Sequence, residues 1–250
     1  MIMIHSYENG KRAESCIEYL KSSQCIDNIG NIILLPIPTT RDNHTILNTK
    51  VYISEVLGEI NGGTVISGYG VPDSFLTEAE KRGARVLDLS LDEEFLSENA
   101  DLTALCTLGI LLGGGEYAPR DLSVGVVGYG RIGKRLTNML LYLGARVRVF
   151  TSRENTRIDL SEYGVASAMS AVDADLSGLD LLINTAPARI FPPQNIPDSV
   201  RVIDLASGDN FPGMEVEKYP SVPAKMFPKS AGKVWGRAVE RFITNTLQGG

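Results

Sequence analysis

Residues 124–136, VGVVGYGRIGKRL, decide the fold, because they place a glycine-rich turn between an apolar run and a helical pattern. The spacing Gly128-x-Gly130-x-x-Gly133 is typical of the turn that joins the first strand and helix of a dinucleotide-binding unit. In such a turn the first glycine permits a sharp change of direction. The second lets a pyrophosphate approach the backbone, and the third allows close packing of helix and strand. Another strand-like run, ARVRVF, follows the helix, so the context agrees with the motif.

The sequence on both sides of this stretch alternates strand-like and helical segments. NIILLPIP, TVISGYG and ARVLDLS in the first half, and LSVGVVG, LDLLINTAP and RVIDLAS in the second, are short apolar runs typical of buried strands. Strands that alternate with helices predict parallel sheets covered by helices. We therefore predict an α/β fold with two lobes of doubly wound parallel sheet and a Rossmann dinucleotide-binding domain in the C-terminal half.

A long helical pattern in the middle of the chain sets the predicted domain boundaries. Asp92 is the predicted N-cap of EEFLSENADLTALCTLGILLGG, whose first turn is acidic and whose end is rich in glycine. We interpret this helix as a connector that opens the second domain. The predicted division is a substrate-side α/β domain over residues 1–95, a nucleotide-binding domain over residues 96–236 and a C-terminal helix over residues 237–250.

Composition and charge narrow the classes of function. The chain has 250 residues, a net charge of −6 and no long basic run, which disfavours nucleic acid and anionic membranes as partners. Cys16, Cys25 and Cys106 lack metal-site spacing, so we expect reduced thiols and no metal. With neither a signal-peptide pattern nor a long apolar run, we expect a cytoplasmic protein. No histidine follows His44, which disfavours a simple 2-hydroxy-acid dehydrogenase with a histidine acid/base in its second half.

The segment RVRVFTSREN bears on which nucleotide binds. An NAD site places Asp or Glu at the end of the second strand, to hold the ribose hydroxyls. Here Thr151 and Ser152 occupy that region and Arg153 follows, and hydroxyls with a guanidinium suit a 2′-phosphate. Arg157 is placed to reinforce this contact. We therefore favour NADP over NAD, while a register shift that brings Glu154 to the acidic position keeps NAD as the alternative.

Other candidate cofactor contacts lie at the start of the helix and in two loops that follow later strands. Ligands bind outside the carboxyl ends of strands in open parallel sheets, where small residues permit close approach. Besides the three glycines and the residues after the second strand, the candidates are Arg131, Ile132, Thr185, Ala186, Pro187, Ala206 and Ser207.

Six segments, in this order, resemble the family of the A subunits of bacterial dipicolinate synthases: ILLPIPTTRD, ENADLTAL, VGVVGYGRIGKRL, INTAPARIF, VIDLAS and PKSAGKVWG. The resemblance covers residues 31–247. It implies a substrate lobe followed by an NADP-binding lobe, related in fold to the D-2-hydroxyacid dehydrogenases. It also implies an oxidoreductase that converts a 4-hydroxy-tetrahydrodipicolinate-type dicarboxylate to dipicolinate during sporulation. The implied partner is a second synthase subunit, and we separately expect a homodimer.

The resemblance also implies a set of substrate residues. A dicarboxylate needs cationic or N–H donors, and Arg41 is the candidate carboxylate clamp. Lys229 and Asp42 are the candidate proton-transfer residues. The alternative for Lys229 is an ordinary surface lysine at the start of the last helix. The remaining candidate substrate contacts are Thr40, Asn99, Thr103 and Ser230.

Two positions depart from the family's pattern and keep other functions open. Leu105 stands where the family usually has an acidic residue, and Gly208 stands where a lysine usually follows LAS. One alternative is an NAD(P) dehydrogenase of the same fold that acts on another amino or hydroxy acid. The other is a nucleotide-binding partner subunit without catalytic turnover, which these two departures favour.

Overall fold

The computed structural model describes residues 3–24, 29–114, 116–162, 165, 168–169 and 174–248. The chain forms two compact units, one made of Met1–Asn99 with Phe227–Gly250, the other of Ala100–Met226. This division differs from the predicted one at its second boundary, because residue 236 falls inside a helix whose whole length belongs to unit 1. Of the three cysteines, Cys16 and Cys106 are buried free thiols, and Cys25 lies outside the described residues.

Four described strands form the sheet of unit 1 in the order β1-β2-β3-β4, and each neighbouring pair is parallel. The run VYISEVLGEI contains a 3-10 helix, Ile53–Glu59. The strands of unit 1 are β1 (Met3–Ser6), β2 (Asn31–Leu34), β3 (Val65–Gly68) and β4 (Arg85–Asp88), and its helices include α1 (Lys11–Ser22) and α2 (Asp73–Lys81).

The last helix packs on α1, which explains why it belongs to unit 1. This helix runs Pro228–Gln248 and is called α7 below. A side chain at Gly232 would lie 2.3 Å from the backbone oxygen of Arg12, so the two helices approach closely only because this residue is glycine. Trp235 is fully buried, and its Nε1–H donates a 2.9 Å hydrogen bond to Ser67 Oγ in β3.

Six described strands form the sheet of unit 2, all parallel, in the order β10-β9-β8-β5-β6-β7. Counted from β5, this is the order 3-2-1-4-5-6 of doubly wound dinucleotide-binding folds, which confirms the predicted fold class. The strands are β5 (Ser123–Val127), β6 (Arg146–Phe150), β7 (Ala168–Met169), β8 (Leu181–Asn184), β9 (Arg201–Asp204) and β10 (Glu217–Lys218).

The helices of unit 2 cover both faces of this sheet. Val126 and Leu136 belong to one buried apolar cluster, whereas Val127 and Phe150 belong to another, as expected where successive side chains of a strand point to opposite faces. The helices are α4 (Arg131–Tyr142), α5 (Glu154–Glu162) and α6 (Val222–Met226), together with part of α3 (Glu93–Gly114).

The long helix α3 begins as predicted, because Asp92 Oδ1 accepts a 2.8 Å hydrogen bond from the backbone N–H of Phe95. Within the described chain, it is the one helix long and apolar enough to cross a membrane by length and composition. Core helices of globular proteins have the same composition. Ala104 and Leu111 of this helix are buried in the apolar cluster of unit 2.

Candidate functional site

The glycine turn lies where the sequence predicts it, between β5 and α4. Gly128 has a φ of +87°, a left-handed conformation that glycine adopts without strain. Its N–H donates a 2.8 Å hydrogen bond to the carbonyl oxygen of Phe150, the last residue of β6. A side chain at Gly128 would meet Thr185 Oγ1 at 2.9 Å, so the turn is packed closely against the loop after β8.

The other two glycines of the turn meet different surroundings. A Cβ at Gly133 would lie 2.1 Å from the carbonyl oxygen of Gly128, so only glycine lets α4 approach the turn this closely. A Cβ at Gly130 would have no described atom within 4 Å, so the space next to this residue is open. The first intrahelical bond joins the N–H of Lys134 to the carbonyl of Gly130. The preceding N–H groups of the helix therefore form an anion-binding end beside open space.

Strand order puts this turn at the switch point of the sheet. β5 lies between β6 and β8, and chain connections leave β5 toward β6 first and toward β8 later. Ligands of doubly wound sheets bind in the crevice at this point, outside the carboxyl ends of the strands. A dinucleotide on the turn would therefore extend toward β6 on one side and toward β8 and β9 on the other.

No carboxylate occupies the end of β6. The strand ends at the buried Phe150, and the buried Thr151 follows. Ser152 and Arg153 are exposed, and the guanidinium of Arg153 has no hydrogen bond or ion pair with a described residue. Glu154 is the first residue of α5, four positions beyond the strand. The structure therefore presents hydroxyls and a cation at this position.

Arg157 lies one turn into α5. Its backbone N–H donates a 3.2 Å hydrogen bond to the carbonyl of Arg153, so the two arginines are successive along one side of the helix. The guanidinium of Arg157 likewise has no partner within the described chain. Two unpaired guanidinium groups make this end of β6 a cationic site suited to a phosphate.

The loops after β8 and β9 are held at the same edge of the sheet. Thr185 Oγ1 donates a 2.8 Å hydrogen bond to the carbonyl of Val127, which joins the first loop to the end of β5. Ala186 and Ala206 are each fixed by a backbone bond to a buried side chain at the end of their strand, Asn184 and Asp204 respectively. The candidate cofactor contacts in these loops therefore lie at the edge where doubly wound sheets bind their ligands.

The role of the buried polar side chains that hold these loops was not predicted from the sequence. Asn184, Asp204 and Asn210 are buried, with exposed fractions of 1%, 1% and 4%. The signal was present, since Asn184 and Asp204 each interrupt an apolar strand at its last residue. A buried polar group at such a position needs a hydrogen-bond partner. Asn184 and Asp204 are paired residues of the neighbouring strands β8 and β9, so they lie side by side.

In unit 1, the candidate substrate residues Thr40, Arg41 and Asp42 form part of the loop after β2. Asp42 Oδ1 accepts hydrogen bonds from the N–H groups of Thr45 (2.7 Å) and His44 (2.9 Å) and from the hydroxyl of Thr40 (2.9 Å). These donors hold the pKa of the Asp42 carboxyl well below its usual range. A carboxylate with a lowered pKa is a weaker base, and these bonds also hold the loop, while the proton-transfer role expected of Asp42 stays a prediction.

Arg41 remains available as a carboxylate ligand. It is exposed, and its guanidinium has no hydrogen bond or ion pair among the described residues. The loop that carries it is tied to the sheet, because the N–H of Thr39 bonds to the carbonyl of Tyr69 at 2.9 Å and Tyr69 N–H bonds to Thr39 Oγ1 at 2.8 Å. Arg41 is thus an exposed side chain on an anchored backbone.

The remaining substrate candidates lie on two helices. Lys229 and Ser230 are exposed residues in the first turn of α7. Asn99 is partly buried on α3 and is the last residue of the first segment of unit 1. Thr103 is assigned to unit 2, is 5% exposed, and its carbonyl accepts the hydroxyl of Thr107. Asn99 and Thr103 both have further interactions.

Two cavities lie away from the glycine turn. One of about 340 Å³ is lined in part by Leu122 and Asp180, which directly precede β5 and β8, so it is at the amino-terminal edge of the sheet. The other, of about 290 Å³, is in unit 1 and includes Asn43 and His44 beside the Arg41 loop. No group of three or more His, Cys, Asp or Glu side chains suited to a metal ion occurs among the described residues.

Comparisons with known proteins relate the chain to others through its fold. Neither a protein-family model nor a curated protein matches the sequence. The dipicolinate synthase A chain from Bacillus halodurans has a TM-score of 0.76 and 20% identity, over 97% of this chain and 96% of that one. The corresponding chain of dipicolinate synthase from Bacillus subtilis has a TM-score of 0.78 and 17% identity, over 100% and 97%.

A dehydrogenase with bound nucleotide is also similar. The D-isomer specific 2-hydroxyacid dehydrogenase from Lactobacillus delbrueckii ssp. bulgaricus, in its NAD-complexed form, has a TM-score of 0.57 and 9% identity, over 100% of this chain and 98% of that one. At such identities the comparisons establish the fold, and the chemistry must be argued from the residues of this chain. The chain therefore has the two-unit α/β fold seen in the A chains of dipicolinate synthases, which is related to the fold of D-2-hydroxyacid dehydrogenases.

Proposed function

We propose that this protein is an NADP(H)-dependent oxidoreductase that acts on a small dicarboxylate, in the manner of a dipicolinate synthase. The observation that carries the proposal is the glycine turn at the switch point, with open space over Gly130 and packed space at Gly128 and Gly133. The solved structures of similar fold support it, because they include dehydrogenases and an NAD complex. The finer proposal is the conversion of a 4-hydroxy-tetrahydrodipicolinate-type compound to dipicolinate, in which NADP+ would accept a hydride, a proton would be released and the 4-hydroxyl would leave as water.

The residues of unit 2 fit a dinucleotide with a 2′-phosphate. The N–H groups at the start of α4 would hold the pyrophosphate over Gly130. Thr151 and Arg153 would hold the adenosine ribose and its phosphate, with Arg157 as a second cation. When bound, NADP+ supplies a hydride acceptor at nicotinamide C4. The polypeptide binds and orients the nucleotide and leaves the redox chemistry to it.

On the substrate side, we propose that Arg41 binds a carboxylate through its guanidinium fork. Its lack of a partner among the described residues supports this role. Lys229, in the first turn of α7, and Asp42 are the proposed proton-transfer residues, and Ser230 lies next to Lys229. Thr40, Asn99 and Thr103 are proposed as further substrate contacts.

The proposed setting rests on the resemblance of the sequence to the A subunits of dipicolinate synthases. We propose a cytoplasmic enzyme of sporulation that forms a homodimer and works with a second synthase subunit. Neither nucleic acid nor a membrane is proposed as a partner, in line with the net charge of −6.

The cofactor proposal is tested by titrating NADPH and NADH against the wild type and Arg153→Ala, with nucleotide fluorescence as the readout. The wild type should bind NADPH more tightly, and Arg153→Ala should lose affinity for NADPH by about 10- to 100-fold, the effect of removing a charge-assisted phosphate contact. Affinity for NADH should not change. Arg120→Ala is the matched control, because Arg120 is exposed and precedes β5 at the opposite edge of the sheet.

Equal affinities for both nucleotides, insensitive to Arg153→Ala, would rule out NADP specificity. The reaction is tested by incubating the protein with the hydroxylated dicarboxylate and NADP+, alone and with the second synthase subunit, and following NADPH and dipicolinate by absorbance. Nucleotide binding without turnover in any combination would favour the non-catalytic partner subunit instead.

A further inference from the structure

Three buried side chains join the ends of β8 and β9 to the loops that follow them. Asn184 is the last residue of β8, Asp204 is the last residue of β9, and the two are paired across the strands. Asn184 Nδ2 donates a 2.8 Å hydrogen bond to Asp204 Oδ1. Asn210, in the loop after β9, donates through Nδ2 to both carboxylate oxygens, at 3.3 and 3.2 Å.

The loop after β8 is held by Asn184 through two bonds to one residue. The N–H of Ala186 donates to Asn184 Oδ1 at 3.1 Å, and Asn184 Nδ2 donates to the carbonyl of Ala186 at 3.0 Å. A side-chain amide that bonds both backbone groups of one residue fixes the position of that residue and its orientation. Thr185 and Pro187 flank Ala186, so their positions follow from this pair of bonds.

The loop after β9 is held in the same way by Asp204 and Asn210. The N–H of Ala206 donates to Asp204 Oδ1 at 3.2 Å, and Asn210 Nδ2 also donates to the carbonyl of Ser207 at 3.2 Å. Asp204 thus accepts from Asn184 at the end of β8 and from Ala206 and Asn210 in the loop after β9. A shift of either loop would cost hydrogen bonds at the other.

A buried carboxylate is a costly way to join two loops. Removing such a group from water carries a penalty that only well-placed donors repay, and apolar packing often stabilises a fold more. Asp204 is 1% exposed, and its donors come from its own loop and from the neighbouring strand. Its arrangement therefore serves the geometry of the loops more than the stability of the unit.

The position of the cluster indicates which half of the dinucleotide it serves. Arg153 follows β6 on one side of the turn, and β8 and β9 lie on the other side. With the adenosine phosphate at Arg153, the nicotinamide half extends toward β8 and β9. Asn184 also pairs with Val127 of β5, directly before the glycine turn, so the cluster begins one strand away from the pyrophosphate site.

We infer that Asn184, Asp204 and Asn210 are positioning residues that fix the loops 185–188 and 205–210 against the nicotinamide half of the cofactor. This inference rests on the proposed function, since it presupposes a dinucleotide at the turn. It separates the two halves of the site: Arg153 determines affinity for the adenosine end, and the Asp204 cluster determines the placement of the nicotinamide end.

The test compares NADPH with 2′,5′-ADP, which carries only the adenosine half with its 2′-phosphate. In Asp204→Asn and Asn210→Ala, the affinity for NADPH should fall by at least about tenfold, whereas that for 2′,5′-ADP should stay within about twofold of the wild type. A purely structural defect would weaken both ligands together. Asp175→Asn is the matched control, because Asp175 is an exposed aspartate that accepts from Ser177 N–H in the loop before β8.

Asn210→Ala keeps the Asp204 carboxylate, so its nucleotide affinities test the role of the loops even when Asp204→Asn does not fold. Parallel losses for both ligands, or no loss for either in both variants, would overturn the inference. A wild type that binds neither NADPH nor NADH would overturn the proposed function itself. Retained 2′,5′-ADP binding in Asn210→Ala, combined with weak NADPH binding, supports both.

Discussion

Replacing two glycines of the same turn with alanine, one at a time, should distinguish an effect on stability from an effect on nucleotide binding. Gly130 and Gly133 lie three residues apart, at the N-cap of α4 and in its first turn. A methyl group at Gly130 meets nothing within 4 Å, whereas one at Gly133 lies 2.1 Å from the carbonyl oxygen of Gly128. Gly130→Ala therefore places a methyl in the space proposed for the pyrophosphate, and Gly133→Ala places one inside the fold.

The expected magnitudes follow from these distances. Gly130 has a φ of −83°, which alanine adopts readily, so restricting the unfolded chain adds about 0.4–1 kcal/mol of stability. Alanine is a poorer N-cap than glycine by about 1 kcal/mol, so the two effects offset each other. At Gly133, a carbon and an oxygen normally stay roughly 3.3 Å apart, so α4 must move by about 1 Å. Overpacking of this kind costs about 1–3 kcal/mol.

The assay is urea denaturation without nucleotide, followed by NADPH titration of each variant. Gly130→Ala should unfold within about 1 kcal/mol of the wild type, yet its affinity for NADPH should fall by at least about tenfold. Gly133→Ala should lose both stability and affinity. NADPH binding by Gly130→Ala with wild-type affinity would refute the assignment of the turn as the pyrophosphate site.

Three further predictions concern the fold around the site. Hydrogen bonds lower the pKa of Asp42 in the folded state, so its carboxylate stabilises the fold at pH values above the usual carboxyl pKa. This contribution is lost as the pH falls through the lowered pKa. Asp42→Asn should thus be less stable than the wild type at neutral pH, with a difference that shrinks in acid; a pH-independent difference in denaturation midpoint would contradict this. Trp235→Phe leaves the hydroxyl of Ser67 buried without its donor, so urea denaturation should show a loss of about 1–3 kcal/mol, and a loss below about 0.5 kcal/mol would count against the bond. Burial raises the pKa of the Cys106 thiol to about 11 and that of Cys16 further, so peptide mapping after treatment with a thiol reagent at neutral pH should find both unmodified until the protein unfolds.

The sequence was sufficient for the elements whose patterns are strong. VGVVG, the glycine turn and the amphipathic run after it are a strand, a turn and a helix in the structure, and Asp92 caps α3. It was insufficient for the short or weakly patterned elements: β1, β7, β10, α5 and α6 were not predicted. Two-residue strands such as Glu217–Lys218 carry no periodicity, because their place is determined by pairing with a neighbour rather than by their own residues.

Tertiary contacts explain what the sequence left unpredicted at the site. The boundary expected at residue 236 assumed that each domain is a continuous stretch of chain. All of α7 belongs to unit 1, and Gly232 in this helix packs closely on Arg12. The hydrogen bonds that Asp42 accepts from its own loop could not be predicted from the sequence. Asn210 is six residues from Asp204, and no local pattern indicates that the two meet.

The central claim is that the turn at Gly128–Gly133 holds a dinucleotide whose 2′-phosphate lies against Arg153. The most direct measurement is a crystal structure of the protein with NADPH. We expect a pyrophosphate over Gly130 within hydrogen-bond distance of the first N–H groups of α4, and a 2′-phosphate paired with Arg153. A nucleotide bound elsewhere, for instance in the cavity at the amino-terminal edge beside Leu122 and Asp180, would contradict the claim.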